Sequence, residues 1–462
     1  MARKQKQLLQ KMISLLEANQ ASELTTLLNE LRTSDIAEVV ELVDNEQRRT
    51  IFDALNKEIS AEVLEKVDEA TRGELFEMLG EKELANLVSE LDPDDAADVL
   101  QELPEADVTE VLESIPPDES KQIKNLMSYS EDSAGGIMDP IVISVPENAT
   151  VEQAINKIRA AEIDEDFFSV FVVDKNHCFL GDVRIRFLII KPEDTKISSC
   201  IEPDSIYVTA NADQEEVRNI FSKNDLIVVP VLDEEHKLIG RITADRIIEV
   251  AEEEAAEDLY AMAGTDADEL DDVSVIRAAR IRMTWLLPCL VGTAVTALVM
   301  MFFKGYNPVI YVAAVAFVPM IAAISGNAGL QTSTIVVSGL ATGHLVALRL
   351  TQVFNREVRI AMLVAVSCGI IGAIVCSFLP YLINDPANPT QTNFSDHFAI
   401  VMAFGIGMSS AIMVATTLGL FLPFLFRKIG IDPAISSGPL VTTANDSISV
   451  AIYLTLTFWL VS

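Results

Sequence analysis

The chain has 462 residues, half of them apolar, and carries 69 Asp+Glu against 34 Lys+Arg, a formal net charge of −35. The acids are partitioned: beyond Arg280 there are five (Glu357, Asp385, Asp396, Asp432, Asp446) against seven bases, which leaves 64 acids and 27 bases before it, a net of −37. So negative a half excludes nucleic acid and anionic headgroups as charge-driven partners and points to cations.

From the N-terminus, residues Met1 to Lys11 are polar, so no cleavable secretory signal is expected. Apolar residues then recur at three- and four-residue steps to about residue 128, which predicts helices throughout. Leu91-Asp92-Pro93-Asp94-Asp95-Ala96-Ala97-Asp98-Val99-Leu100 is echoed by Leu103 to Leu112, and this unit of about a dozen residues suggests stacked short helices. From Ile141 the texture changes to Val, Ile and Phe runs, and a β-α-β-β-α pattern occurs twice, over roughly 138–198 and 200–250. A helical stretch from Ala244 to Gly264 follows, crowded with Glu249, Glu252, Glu253, Glu254, Glu257 and Asp258. Like charges at three- and four-residue spacing repel by a few tenths of a kcal/mol per pair. Two readings stay open for it: a solvated linker, or a helix that transmits a cytoplasmic state to the membrane.

After Arg282, segments near 283–303, 309–340, 357–381, 397–426 and 437–460 each have the about 20 mostly apolar residues that a bilayer core requires. Arg277, Arg280 and Arg282, then Arg349, Arg356 and Arg359, then Arg427 and Lys428 all fall on one side of five crossings, while the opposite connections hold Lys304 and the stretch Asn384 to Asp396. The positive-inside rule places the acidic half in the cytoplasm and the C-terminus on the other side of the cytoplasmic membrane. Five cysteines (Cys178, Cys200, Cys289, Cys368, Cys376) without paired spacing read as buried small residues in a reducing compartment.

Asp446 lies about ten residues into the last span, in Thr442-Thr443-Ala444-Asn445-Asp446-Ser447. An intramembrane carboxylate is a functional candidate by default, with a structural hydrogen bond or a proton relay as alternatives. Asp432, before Pro433, reads as a helix cap. The second span holds Pro319 and then Ser325-Gly326-Asn327-Ala328-Gly329-Leu330-Gln331-Thr332, small residues and amides that offer neutral oxygens to a cavity. Carboxylate, amide and hydroxyl oxygens without thiolates or imidazoles suit a hard cation such as Mg²⁺. The four histidines (His177, His236, His344, His397) are scattered and no nucleophile–base pairing appears, so an enzyme is not expected.

Four motifs in order carry a resemblance to the MgtE family of magnesium channels: Tyr129-Ser130-Glu131-Asp132-Ser133-Ala134-Gly135-Gly136-Ile137-Met138, Glu252 to Leu259, Gly326 to Gln331, and Ser437-Gly438-Pro439 through Asp446. The resemblance implies a multidomain fold: an all-α solenoid-like N-domain (1–130), tandem α/β CBS modules (131–199 and 200–250), an acidic plug helix (251–276) and an α-helical pore domain of five transmembrane helices (277–462). It implies a homodimer in the lipid bilayer whose pore carries hydrated Mg²⁺, with Asp446, Asn445, Thr442, Thr443, Asn327 and Gln331 lining it. It further implies closure when cytoplasmic Mg²⁺ bridges Asp94, Asp98, Asp213, Glu215, Asp225, Glu249, Glu254, Glu257 and Asp258. Two positions depart from the pattern. Arg246 stands where the second module's motif has a carboxylate, and Phe187 holds the equivalent place in the first. Both count against adenine nucleotide binding, and Arg246 is expected to pair with acids of the plug helix. Two other functions stay open, a divalent-cation carrier coupled to Na⁺ or H⁺ and a non-conducting Mg²⁺ sensor.

Overall fold

The computed structural model describes residues 11–16, 21–161, 167–202, 204–266, 275–342, 345, 350–383, 394–436 and 438–461. The polar residues before Lys11, His344, Arg349, Ser437 and most of the Asn384–Asp396 connection lie outside the described residues. The chain divides into two units, Met1–Glu252 and Glu253–Ser462.

In the first unit, helices α1 (Ala21–Leu28), α2 (Thr33–Leu42), α3 (Asn45–Ala54), α4 (Lys57–Lys66), α5 (Glu69–Met78), α6 (Glu81–Val88), α7 (Pro93–Gln101), α8 (Glu105–Ser114) and α9 (Pro117–Leu126) follow one another. Each begins twelve residues after the one before, so the dozen-residue unit seen in the sequence is one helix and its turn. Capping sets the period: the carboxylates or amide of Asp44, Asn56 and Asp68 accept the backbone N–H three residues on, at the starts of α3, α4 and α5. Arg48, buried, and Arg72, half-buried, staple neighbouring helices at twice that period. Arg48 donates to the carbonyls of Val40 and Glu41 at the end of α2, and Arg72 to those of Leu64 and Glu65 at the end of α4. Glu74 and Glu102 respectively hold the two guanidinium groups from the other side.

The repeated α/β pattern forms two three-stranded sheets. In the first, β1 (Ser144–Pro146) runs parallel to β2 (Ser169–Val173), which pairs antiparallel with β3 (Phe179–Arg184). In the second, β4 (Val208–Thr209), β5 (Val228–Leu232) and β6 (Leu238–Thr243) repeat that order. Helix α10 (Val151–Ala160) connects β1 to β2, and α12 (Gln214–Asn224) connects β4 to β5. Helix α11 (Ile185–Ile190) follows β3, and α13 (Ala244–Ala263) follows β6. The acidic turns close alike, with Asp174 accepting from the N–H groups of Asn176 and Cys178, and Asp233 from those of Glu235 and Lys237.

Residues 132–139, expected within the first module (131–199), are strapped to the second. The N–H groups of Ala134 and Gly135 donate to Ala212 and Ala210 at 2.7 and 2.8 Å, and that of Gln214 donates to Asp132 at 2.8 Å. Asp139 and Arg241 exchange backbone hydrogen bonds at 2.8 Å and pair through Nε and Oδ2 at 2.6 Å, both side chains buried. Gly136 is required here, because a Cβ on it would strike the carbonyl of Ser130. The strap explains why the helical domain and the second module share one continuous apolar core while the first module has its own.

The second unit contains five helices long and apolar enough to cross a membrane. They are α14 (Val275–Tyr306), α16 (Val318–Ala341), α17 (Leu350–Ile383), α18 (Phe394–Lys428) and α19 (Pro439–Val461). The expected second span, 309–340, is broken. A short α15 (Pro308–Val315) precedes α16, because Pro319 lacks an N–H and its ring excludes a continuous turn. The Tyr453 hydroxyl donates to the carbonyl of Ala314 at 3.0 Å, satisfying backbone freed near the break. Helix α18 packs against α16, α17 and α19, and α14 against α19. The five cysteines are free; Cys200 and Cys376 are buried as expected, whereas Cys178, Cys289 and Cys368 are partly exposed.

Replacing Arg241 by Ala leaves the buried Asp139 carboxylate without its guanidinium and should destabilise the first unit by about 3–5 kcal/mol. Chemical denaturation checks this, and an apolar replacement of both partners, Arg241→Met with Asp139→Leu, is expected to recover much of the loss.

Candidate ion pathway and regulatory acids

Asp446 sits in the second turn of α19, half-buried, and among the described residues no hydrogen bond or ion pair reaches it. Its two neighbours are committed in different directions. Asn445, fully buried, donates to the Ser325 hydroxyl of α16 at 2.8 Å and accepts from Ser449 at 2.7 Å. Ser447 meets the Thr296 hydroxyl of α14 at 2.8 Å and donates to the Gly292 carbonyl at 3.2 Å. Helix α19 is therefore pinned on both sides of Asp446, which sets the face of the helix from which the carboxylate projects. Thr442 and Thr443 donate to the carbonyls of Gly438 and Pro439 at 2.8 and 2.6 Å, so their oxygens keep acceptor capacity. Asn327 and Gln331 share an exposed flank of α16, one turn apart, and the structure does not bring them to Asn445. Sequence patterning singled out Asn445 but passed over Ser325, Ser447 and Ser449, since serines in an apolar helix announce no partner. Asp432 caps a short turn by accepting from the N–H of Ala434 at 2.8 Å, as its place before Pro433 predicts.

Two features tie this region together. The C-terminus of α13 abuts the start of α19: a Cβ on Gly438, at φ +50°, would strike the carbonyl of Met262. Ala261 packs with Val337 of α16 and Ala434. Between α14 and α19 lies an apolar groove of about 720 Å³, walled by Trp285, Pro288, Gly292, Leu440, Thr443 and Ser447. Helix α14 buries no residue within the chain.

The acids expected to bridge Mg²⁺ are dispersed along the first unit and α13. Asp94 is in the first turn of α7. One turn later Asp98 accepts from Arg246 at 2.6 Å, and the same guanidinium reaches Glu249 at 3.1 Å. Glu249 is one turn from Arg246 on the same helix and precedes the 251–276 stretch with which pairing is expected, while Asp98 belongs to the helical domain. Asp213 caps α12 by accepting from the N–H of Glu215, whose carboxylate lies 3.4 Å from Arg218. Asp225 ends α12 in a left-handed conformation, φ 52°. Glu254, Glu257 and Asp258 lie further along α13. Among the described residues no three His, Cys, Asp or Glu side chains converge into a metal cage. Asp95, absent from the sequence expectations, is the acid under greatest stress. Burial, then the charges of Glu65, Asp92 and Asp98, push its carboxyl up to about 7, with Arg246 partly offsetting them. Burial also raises Asp98 against the pull of Arg246.

An acidic helical domain and paired α/β modules, joined by a helix to five apolar helices with a half-buried carboxylate in the last, have the organisation of a membrane transporter of cations. A family model described as a divalent cation transporter, MgtE, matches residues 318–456, that of the MgtE intracellular N domain matches 31–132, and CBS domains match 134–186 and 197–253. The magnesium transporter MgtE of Thermus thermophilus is 31% identical over 340 residues, 72% of this chain and 71% of that one. The magnesium transporter MgtE of Enterococcus faecalis is also 31% identical, over 72% of this chain and 70% of its own. Among solved structures, the soluble part of a magnesium transporter is 25% identical with a TM-score of 0.49, covering 55% of this chain and all of that one. The cytosolic domain of the Mg²⁺ channel MgtE in complex with ATP is 31% identical with a TM-score of 0.49, covering 52% of this chain and 99% of its own. The chain belongs to the MgtE family of magnesium transporters, a family of membrane proteins and not of enzymes.

The raised Asp95 makes a signed prediction. Its ordinary value is 3.8 and its folded value about 7, so the folded state holds the proton more tightly. The stability this contributes is present in acid and is lost as pH rises through 7. Asp95→Asn should stabilise the first unit at pH 8 by on the order of 1–2 kcal/mol and flatten the decline of stability from about pH 4 to 8. Thermal unfolding across that range reads both.

Proposed function

We propose that this chain imports Mg²⁺ across the cytoplasmic membrane through a pathway centred on Asp446, and that cytoplasmic Mg²⁺ closes it. The observation that carries the reading is a half-buried carboxylate, without a partner among the described residues, on a pinned helix whose first residue abuts the end of the acidic helix. Mg²⁺ dehydrates reluctantly and keeps several waters. A single carboxylate flanked by the Thr442 and Thr443 oxygens suits a hydrated ion held through its waters better than a closed protein cage. A second copy supplies the rest: the groove beside Thr443 and Ser447 and the unburied α14 are surfaces a homodimer would cover, placing two Asp446 carboxylates across one pore. Arg277, Arg280 and Arg282 near the start of α14, Arg356 and Arg359 near that of α17, and Arg427 and Lys428 in the last turn of α18 support cytoplasmic N-terminal domains.

Gating follows from charge. The acids of α7, α12 and α13 are paired or spaced without forming cages, the arrangement in which outer-sphere Mg²⁺ bridges relieve repulsion. The raised Asp95 carboxyl supports this reading, because a nearby cation would let it ionise. Bridging would hold α13 in place, and the contact of Met262 with Gly438 would pass that position to α19 and Asp446. Arg246 already supplies one such bridge between Asp98 and Glu249. The relative above holds ATP. Here Arg246 is engaged by two carboxylates and Phe187 lies under the Arg186 guanidinium at 4.8 Å, so Mg²⁺ and not nucleotide is the regulatory ligand we assign.

In liposomes holding the purified protein, dye-reported Mg²⁺ uptake should disappear in Asp446→Ala and fall in the native protein as Mg²⁺ on the cytoplasmic face rises. Uptake indifferent to Asp446 would move the pathway elsewhere. Arg246→Gln removes the built-in bridge, so half-closure should require roughly five- to tenfold more Mg²⁺, equivalent to about 1–1.4 kcal/mol; an unchanged closing concentration would show that Arg246 takes no part in the gate.

A further inference from the structure

Glu357 is a membrane carboxylate that the proposed pathway leaves unused. It lies in α17 within the apolar stretch Thr351–Phe378, and is 4% exposed. Arg356 and Arg359 beside it are exposed, and among the described residues no hydrogen bond or ion pair reaches Glu357. A carboxylate taken out of water needs a counter-charge, and one inside a membrane segment is a functional group by default.

Helix geometry gives its surroundings. One turn before it, Val353 packs with Val336 and Leu340 of α16 and Leu420 of α18 in a buried cluster. Residues three or four apart share a helix face, so one turn from Val336 is Ser333 and one turn from Leu420 is Thr416. Helix α17 runs antiparallel to α18: Ser409 donates to the Ala365 carbonyl at 2.9 Å, and Gly369 lies against Gly405. Helix α16 runs in the same sense as α18, with Gly329 beside Ala415 and Gly419 beside the backbone of Ser333. Glu357, Ser333 and Thr416 therefore fall on the same side of the apolar cluster, within about a turn of one another. Ser333 is fully buried and its hydroxyl has no hydrogen-bond partner among the described residues; Thr416 is 5% exposed. No titratable side chain occurs on α16, and the bases of α18, Arg427 and Lys428, are in its last turn.

We propose that this layer is a second intramembrane cation site, separate from Asp446, that takes one sodium-sized monovalent ion between Glu357, Ser333 and Thr416. The donors are all oxygens, which selects a hard ion. They carry one negative charge, so a monovalent ion leaves the site neutral whereas a divalent one leaves excess charge among Val and Leu side chains. The proposal is independent of the transport reading; an occupied site would give the protein the second ion that a coupled carrier needs.

The test is thermal unfolding of the full-length protein in nanodiscs with EDTA, titrating NaCl against choline chloride at constant ionic strength and pH. Raising Na⁺ from about 1 to about 300 mM should lift Tm by about 3–5 °C, the size expected when a ligand binds only the folded state. Glu357→Gln should lose the response, Ser333→Ala should shift its half-effect concentration upward severalfold, and Asp446→Ala should retain it. An equal response in native protein and Glu357→Gln would overturn the site. So would stabilisation by acid with no response to sodium, which would make Glu357 a protonated structural group. If Glu357→Gln does not fold, Glu357→Asp and Ser333→Ala decide, and unchanged half-effect concentrations in both overturn the proposal. Because the readout is sodium binding, failure here and failure of Mg²⁺ uptake are separate results.

Discussion

A carboxylate with little water and no cation beside it is the recurrent constraint in this protein, and each unit meets it differently. In the soluble unit the density of acids is answered by a few guanidinium groups. Arg48 and Arg72 sit inside the helical stack, Arg241 is buried against Asp139, and Arg246 lies between Asp98 and Glu249. There are too few of them. Asp95, with Glu65, Asp92 and Asp98 around it, keeps its proton to near neutral pH instead. In the membrane unit protein charge gives no such answer, because the Arg and Lys side chains lie towards the helix ends, and Asp446 and Glu357 are the carboxylates at which we propose mobile ions.

Much of the architecture was legible because it repeats. The twelve-residue spacing of helix starts is visible in the echo of Leu91–Leu100 by Leu103–Leu112, since polar caps and apolar ends must recur at one interval for short helices to stack. The tandem sheets were legible for a related reason: both copies use an Asp-led turn and a Gly-containing third strand. The five spans needed only length and hydropathy. Contacts between distant segments were hidden. Nothing local in Ser133-Ala134-Gly135 says that it straps onto the second module, and Pro319 alone did not reveal that the second span would split into α15 and α16.

The candidate site divides along the same line. Asp446 was conspicuous because a charge in an apolar run is improbable by composition, and Arg246 because it stands where a carboxylate is expected. The distinction between Asn445, buried in a polar knot, and Asn327, exposed on the flank of α16, depends on helix rotation. Hydropathy does not encode rotation when Ser, Thr, Gly and Ala are scattered on every face. Glu357 escaped for the opposite reason, since flanking arginines made it look like part of an interfacial charge cluster.

The rigidity of α19 connects these observations. A helix gripped by Asn445 on one side and Ser447 on the other cannot rotate about its axis at Asp446 without breaking hydrogen bonds to two neighbours. Its free end is the first turn, where Gly438 and Pro439 meet Met262 and Gly264 at the end of α13. A displacement entering there moves α19 as a body or not at all. Packed interfaces respond in discrete steps rather than by continuous deformation, which is the property a gate needs if graded ion binding on an acidic surface is to become opening and closing at a carboxylate two helical turns into the membrane helix.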